Sequence, residues 1–229
     1  MNTKSLLSAS LGVSTIGGVA TGTYFLWPDS KSESIKASEP LSANNNGNIE
    51  SKLQENQYEI LDSGASEWAQ IVSSYKTVVS KRQNLKFVDF DGSEPSDTTT
   101  QPRKTAANIL SEKCQEILKT NKDEDYEKAE KWCIKPQSVF DRLKKLSSNP
   151  LVTTEDDKSQ DLKWEEKLNK HKEANENQIE SLKVSGFDAK QKEEKIKAIK
   201  VECAKLNAKK TYEEDYEVAL EKSKLWCAI

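Results

Sequence analysis

Histidine occurs once in this chain, at His171, so the sequence has no partners for a nucleophilic triad or a histidine-based metal centre. None of the four cysteines is spaced C-x-x-C, which removes the redox motif and the zinc ribbon. G-x-S-x-G, H-E-x-x-H and a Gly-rich phosphate loop are also missing. β-Branched residues never alternate with polar ones for long enough to make a sheet. A concentrated basic segment is lacking as well: 35 basic and 38 acidic residues interleave to a net charge of −3. That pattern argues against a nucleic-acid binder and reads as solvated helix faces carrying (i, i+4) pairs. Acidic groups at Asp123-Glu124-Asp125 and Glu213-Glu214-Asp215 lack the alternating ligands and turn glycine of a calcium loop; both read as acids placed at helix N-termini. No catalytic, cofactor-binding or metal-binding residue is therefore assigned, and no enzyme activity is expected. His171 is read as a packing or helix-surface residue.

Charge itself is absent from Ser5 to Trp27, a run of 23 residues that follows Lys4 and closes on Tyr24, Phe25, Leu26 and Trp27. About 20 apolar residues span a bilayer, and an aromatic end suits the membrane–water interface. The preferred reading is an uncleaved signal-anchor over residues 1–27, with Lys4 inside and the C-terminal region extracellular. A signal peptide cleaved after Ala20 is the rival, although this run is longer than a usual signal core. Gly18-x-x-x-Gly22 offers a small-residue face for pairing two such helices, against the plainer reading of lipid-facing glycine. Residues 28–48 are Ser, Asn, Lys and Glu with little to bury, and read as a flexible stalk.

With hydrophobic residues at 34% and charged residues at 32%, the remaining length supports one or two small domains. Two stretches organise it: Glu127 to Cys133 (EKAEKWC) and Glu221 to Cys227 (EKSKLWC). Further landmarks recur in the same order. Ile49, Leu53 and Leu61 match Val139, Leu143 and Leu151; Trp68, Val72 and Lys76 match Trp164, Leu168 and Lys172; Cys114 matches Cys203. Ordered landmarks with a drifting offset are what loop insertions in a tandem duplication produce. The expected units are 49–134 and 135–229.

Apolar spacings of three and four make each unit helical. Trp68, Val72, Tyr75 and Val79 form one stripe; Ala107, Leu110, Cys114 and Ile117 a second; Tyr126, Ala129 and Trp132 a third, stopped by Pro136. In the second unit a helix is expected from about Gln160 to Leu182. A stop follows at Gly186, then a capping box at Asp188 and Gln191 opening a stripe of Ala189, Ile196, Ile199, Cys203 and Leu206. Thr211 and Glu214 are expected to cap a last helix bearing Tyr216, Ala219, Leu220 and Trp226. The fold class is all-α: a transmembrane helix plus two tandem helical modules.

Each module holds one cysteine in a mid-module helix and one after its terminal tryptophan. All four lie beyond the membrane segment, where disulfides persist. Three pairings are open, and duplication favours Cys114–Cys133 with Cys203–Cys227; reduced cysteines packed beneath tryptophan are the alternative. Helix geometry resists the second bridge, because the last helix reads as one turn longer and leaves the arms mismatched by more than about 10 Å. Trp68, Trp132, Trp164 and Trp226 fall at equivalent places and read as packing anchors in preference to ligand-stacking residues.

The pattern W…K, then E-x-C-x-x-L/I, then E-K-x-x-x-W-C, behind an apolar N-terminus and a Ser/Asn-rich stalk, resembles large paralogous families of uncharacterised proteins in haemotropic mycoplasmas. Trp68, Lys76, Glu112, Cys114, Ile117 and Glu127 to Cys133 carry it once; Trp164, Lys172, Glu202, Cys203, Leu206 and Glu221 to Cys227 carry it again. Glu202 directly precedes its cysteine, whereas Glu112 stands two before. The resemblance implies a membrane-anchored surface protein of a wall-less bacterium attached to red blood cells, its paralogues serving antigenic variation. Expected partners are the lipid bilayer through residues 5–27 and host cell-surface or serum proteins. The alternative is a structural or assembly component that binds the bacterium's own membrane proteins.

Overall fold

The computed structural model describes residues 47–96 and 104–229. The expected anchor, and the stalk up to residue 46, lie outside the described residues. Among the described residues no helix is long and apolar enough to cross a membrane.

The described chain is helical, without strands. The first half contains α1 (Ile49–Glu55), α2 (Trp68–Lys81), a short 3-10 turn at Gln83–Leu85, α3 (Ala106–Leu118) and α4 (Asp123–Trp132). The second half repeats that order with α5 (Val139–Lys145), α6 (Asp161–Glu173), a 3-10 turn at Glu180–Leu182, α7 (Lys192–Ala208) and α8 (Tyr216–Trp226).

Side-chain caps set several starts. Asn48 accepts from Ser51 N–H at the head of α1. Thr105 with Asn108, and Ser138 with Asp141, form reciprocal capping boxes that open α3 and α5. The expected boxes are not formed. α7 begins only at Lys192 with no side-chain cap, leaving Asp188 and Ala189 in the preceding turns. α8 begins at Tyr216, also without a side-chain cap. Thr211 is buried in the loop before it, donating its backbone N–H to Gln137 O. Glu213-Glu214-Asp215 therefore precede the helix, while Asp123-Glu124-Asp125 do occupy the first turn of α4.

Backbone pairing closes each half on itself in the same way. Leu61 N–H donates to Cys133 O at 3.0 Å, and Leu151 N–H to Cys227 O at 2.8 Å. Ile49 N–H reaches Thr120 O at 2.7 Å, and Val139 N–H reaches Lys209 O at 2.8 Å. Single antiparallel bridges at Ile60–Ile134 and Pro150–Ala228 fix the ends. Each half then buries its own core. One contains Trp68, Tyr75, Leu110, Cys114, Trp132 and Cys133; the other contains Trp164, Ile199, Cys203, Trp226 and Cys227. A smaller cluster of Val139, Leu143, Tyr216 and Ala219 lies between α5 and α8.

The halves are joined by polar and cationic groups. Lys131, 4% exposed, donates from its Nζ to Glu213 O at 2.5 Å and to Glu217 at 2.8 Å. Arg142 lies over the Tyr58 ring at 3.9 Å and donates to Asn56 O at 2.7 Å. Ser74 donates to Tyr212 O, and Tyr212 OH donates to Gln70 Oε1. Lys81 pairs with Glu214, and Arg82 with Glu217.

The segment supplying most of these contacts explains why the cysteines are 24 residues apart in the second half and 19 in the first. The expected extra helical turn is absent: α4 has 10 residues and α8 has 11. The additional residues form the loop between α7 and α8, which reaches back to α2 and α4.

Candidate functional site

The disulfides pair Cys114 with Cys133 and Cys203 with Cys227, at Cα separations of 5.3 and 5.5 Å. The mismatch expected for the second pair disappears because α8 starts late. An irregular loop carries the chain from Ala208 to Tyr216, so both cysteines reach the same level. No free cysteine occurs among the described residues.

The four expected tryptophans are buried, and each indole N–H donates to a backbone carbonyl. Trp68 donates to Asp62 O at 2.8 Å and Trp164 to Val152 O at 3.2 Å, pinning the segments that enter α2 and α6. Trp132 donates to Leu85 O at 2.9 Å and Trp226 to Asn177 O at 2.7 Å, pinning the segments that leave those helices. The structure thus brings each pair of tryptophans into one core with its cystine. Their faces are occupied by packing.

Beneath Trp132 and Trp226 the halves diverge. In the first half Tyr75 OH accepts from Phe87 N–H at 2.8 Å and donates to Phe90 O at 3.0 Å. Both phenylalanine rings pack on Tyr75, at 6.2 and 5.2 Å between centroids. Burial pushes the Tyr75 phenol up to about 12. Gly92 sits here at φ +85°, and a Cβ would lie 2.7 Å from Lys76 Cγ. Only glycine lets this segment close so tightly.

In the second half His171 takes the place of Tyr75. Its Nε2 accepts from Ile179 N–H at 2.7 Å, so the neutral ring carries its proton on Nδ1. Gln178 donates to His171 O at 2.6 Å, and Asn177 turns through φ +55°. These contacts end α6 at Glu173, well short of the expected Leu182. The returning segment stands off, and Gly186, at φ +83°, has nothing within 4 Å of where a Cβ would be.

The space left is a groove of about 490 Å³ between α6, the Leu182–Asp188 segment and the start of α7. Leu168, Leu182 and Phe187 give it apolar walls. Four lysines, Lys172, Lys183, Lys192 and Lys195, line it against two acids, Glu165 and Asp188. Lys172 pairs with Asp188 at 3.0 Å and Lys192 with Glu165 at 2.5 Å. Lys183 reaches Glu180 at 2.9 Å, and Lys195 reaches the Asp188 carbonyl at 3.4 Å. Burial holds the His171 imidazole below its ordinary pKa, helped by Lys222 and Lys183 and opposed by Glu180.

A second groove, of about 870 Å³, runs between α2 and the Tyr212–Asp215 loop. Its acids are already engaged: Glu213 and Asp215 by Lys209, and Glu214 by Lys81. Among the described residues no group of three or more His, Cys, Asp or Glu side chains is placed to hold a metal ion.

Sequence reasoning missed Lys183 and Lys195, because surface lysines are indistinguishable from solvated helix charge until a cavity brings them together. The one available signal was the replacement of Tyr75 by His171 at an otherwise matched position. Comparison with family models, with curated proteins and with solved structures finds no match for this chain.

Proposed function

We propose that this chain is a membrane-anchored protein that displays two disulfide-stapled helical units on the outer surface, and that it acts by binding host components. The carrying observation is that Cys114, Cys133, Cys203 and Cys227 are all paired, downstream of an uncharged 23-residue run. Disulfides persist in oxidising, exported settings. The ring of polar inter-half contacts holds the two units in a fixed relation, as a display scaffold needs. The resemblance to haemotropic-mycoplasma families points to red cells, serum proteins and host antibody as what such a surface meets. Oxidised protein applied to host red cells, serum proteins and immune sera is expected to bind at least one above a reduced, unfolded control. Absence of binding to all three sinks this reading.

One observation favours a second reading, a structural component that binds the bacterium's own membrane proteins. Leu225 stands where Lys131 stands in the first half, and Leu146 where Asn56 stands. In the first half both positions hold the second half; in the second half the leucines are 43% and 41% exposed. In-cell cross-linking from these positions that captures no membrane protein would count against it.

A further inference from the structure

The two halves are duplicates in element order, so a cavity present in one and filled in the other marks a local change of use. Tyr75, Phe87 and Phe90 fill the space under Trp132, and Gly92 seals it without room for a methyl group. In the second half Ile179, Leu182 and Phe187 pack with Trp226 in the core, and the stand-off of Gly186 leaves a groove beside them with His171 in its lining. Its volume of about 490 Å³ falls within the roughly 300–1,000 Å³ of small-ligand clefts.

We propose that this groove binds a small anion bearing a carboxylate or phosphate group, through the ammonium groups of Lys183 and Lys195, with His171 below them. Each acid on the rim is already matched by a lysine, while among the described residues no carboxylate pairs with Lys195. Lys183 shares its charge with Glu180, so the uncompensated charge at the mouth of this partly apolar cleft is that of Lys195, where opposite charge is attracted more strongly than on an open surface. Leu168, Leu182 and Phe187 offer a wall for a sugar ring or short aliphatic body attached to the anion. The inference concerns the second half alone and does not depend on how residues 28–229 are displayed.

Coupling between anion and imidazole follows by linkage: an anion in the groove favours the imidazolium, and the imidazolium favours the anion. The charges acting on His171 are Lys222 from α8, Lys183 after the Glu180–Leu182 turn and Glu180 within that turn. Two of these three are cationic, so a bound anion relieves repulsion that the empty groove imposes on the ring.

The chain's lone histidine makes the test direct, because one imidazole resonance reports on the groove. The protein is titrated with inorganic phosphate and with glucuronate, each against sodium chloride at equal ionic strength. Expected is a saturable shift of the His171 signals and a raised midpoint of its proton titration. Binding weakens about tenfold or more in K183Q/K195Q, and is unchanged in K170Q/K205Q, whose lysines lie outside the groove. Saturation by phosphate alone identifies a phosphate ligand; tighter saturation by glucuronate identifies a sugar acid using the apolar wall. A shift no larger than that given by sodium chloride, or one equal in K183Q/K195Q, overturns the proposal.

Discussion

His171 meets Trp226 edge-on at 4.9 Å and 72°, in the relation that Tyr75 holds to Trp132 at 5.1 Å and 64°. Both residues also accept a hydrogen bond from the backbone segment that follows their helix. The two halves thus keep one architectural joint and make it with an imidazole in the second half only.

That substitution gives the second half a pH dependence. The His171 pKa is lowered in the folded state, chiefly by burial, so the unfolded chain takes up the proton first. Stability is complete above the ordinary histidine pKa of about 6.5 and falls as pH drops towards the folded value. One proton sets a ceiling of about 1.4 kcal/mol per pH unit. Thermal melts across this range should show the loss in the wild type, and His171→Tyr should flatten the slope.

The indole hydrogen bonds are a second point of attack. Trp132→Phe leaves Leu85 O without its donor in a closed core, at an expected cost of about 1–3 kcal/mol. Trp226→Phe removes the equivalent bond to Asn177 O, at a similar cost. Urea midpoints of the two variants measure both losses.

Each disulfide stabilises its own half. The cysteine separations of 19 and 24 residues correspond to roughly 3 kcal/mol each. C114A/C133A and C203A/C227A should each lower unfolding stability by about that amount, and reductant should then affect only the remaining bridge. Urea unfolding with and without reductant reads this out.

The junction turns on Lys131. Burial depresses its pKa, and the hydrogen bond from its ammonium to Glu217 opposes that effect. Removing the acid strands a cation that is almost fully covered, so Glu217→Ala should cost more than Lys131→Met, which removes the charge and keeps the packing volume. The expected difference is about 1–3 kcal/mol, read from chemical unfolding. The reverse order would remove Lys131 from the inter-half contact.

The sequence made most of the helical framework legible. Helix-period stripes and the recurring Trp-Cys ends point to helices centred on Tyr75, Cys114 and Ala129, and to cystines within each half. What escaped were features set by tertiary contact. Trp68, Tyr75 and Val79 are buried as expected and Val72 packs against the core, but Ile71 and Val78 are buried beside them and widen the stripe. α6 stops at Glu173 because the His171 ring and carbonyl capture Ile179 and Gln178, a competition that apolar periodicity cannot register. Thr211 and Glu214 read as the cap of a longer last helix, yet the residues before Tyr216 form a loop that reaches the first half through Lys131 and Ser74. The Lys183–Lys195 groove was invisible because its walls come from separate elements.

The proposed display of an oxidised, two-unit helical body on the outside of a cell is tested most directly on intact cells. Intact cells that make the protein are treated with a membrane-impermeant protease, and released peptides are mapped without reduction. Outside display predicts release of peptides from 49–229, with the Cys114 and Cys133 fragments linked and the Cys203 and Cys227 fragments linked. Release only after the membrane is broken, with all four cysteines alkylating as free thiols, would contradict it.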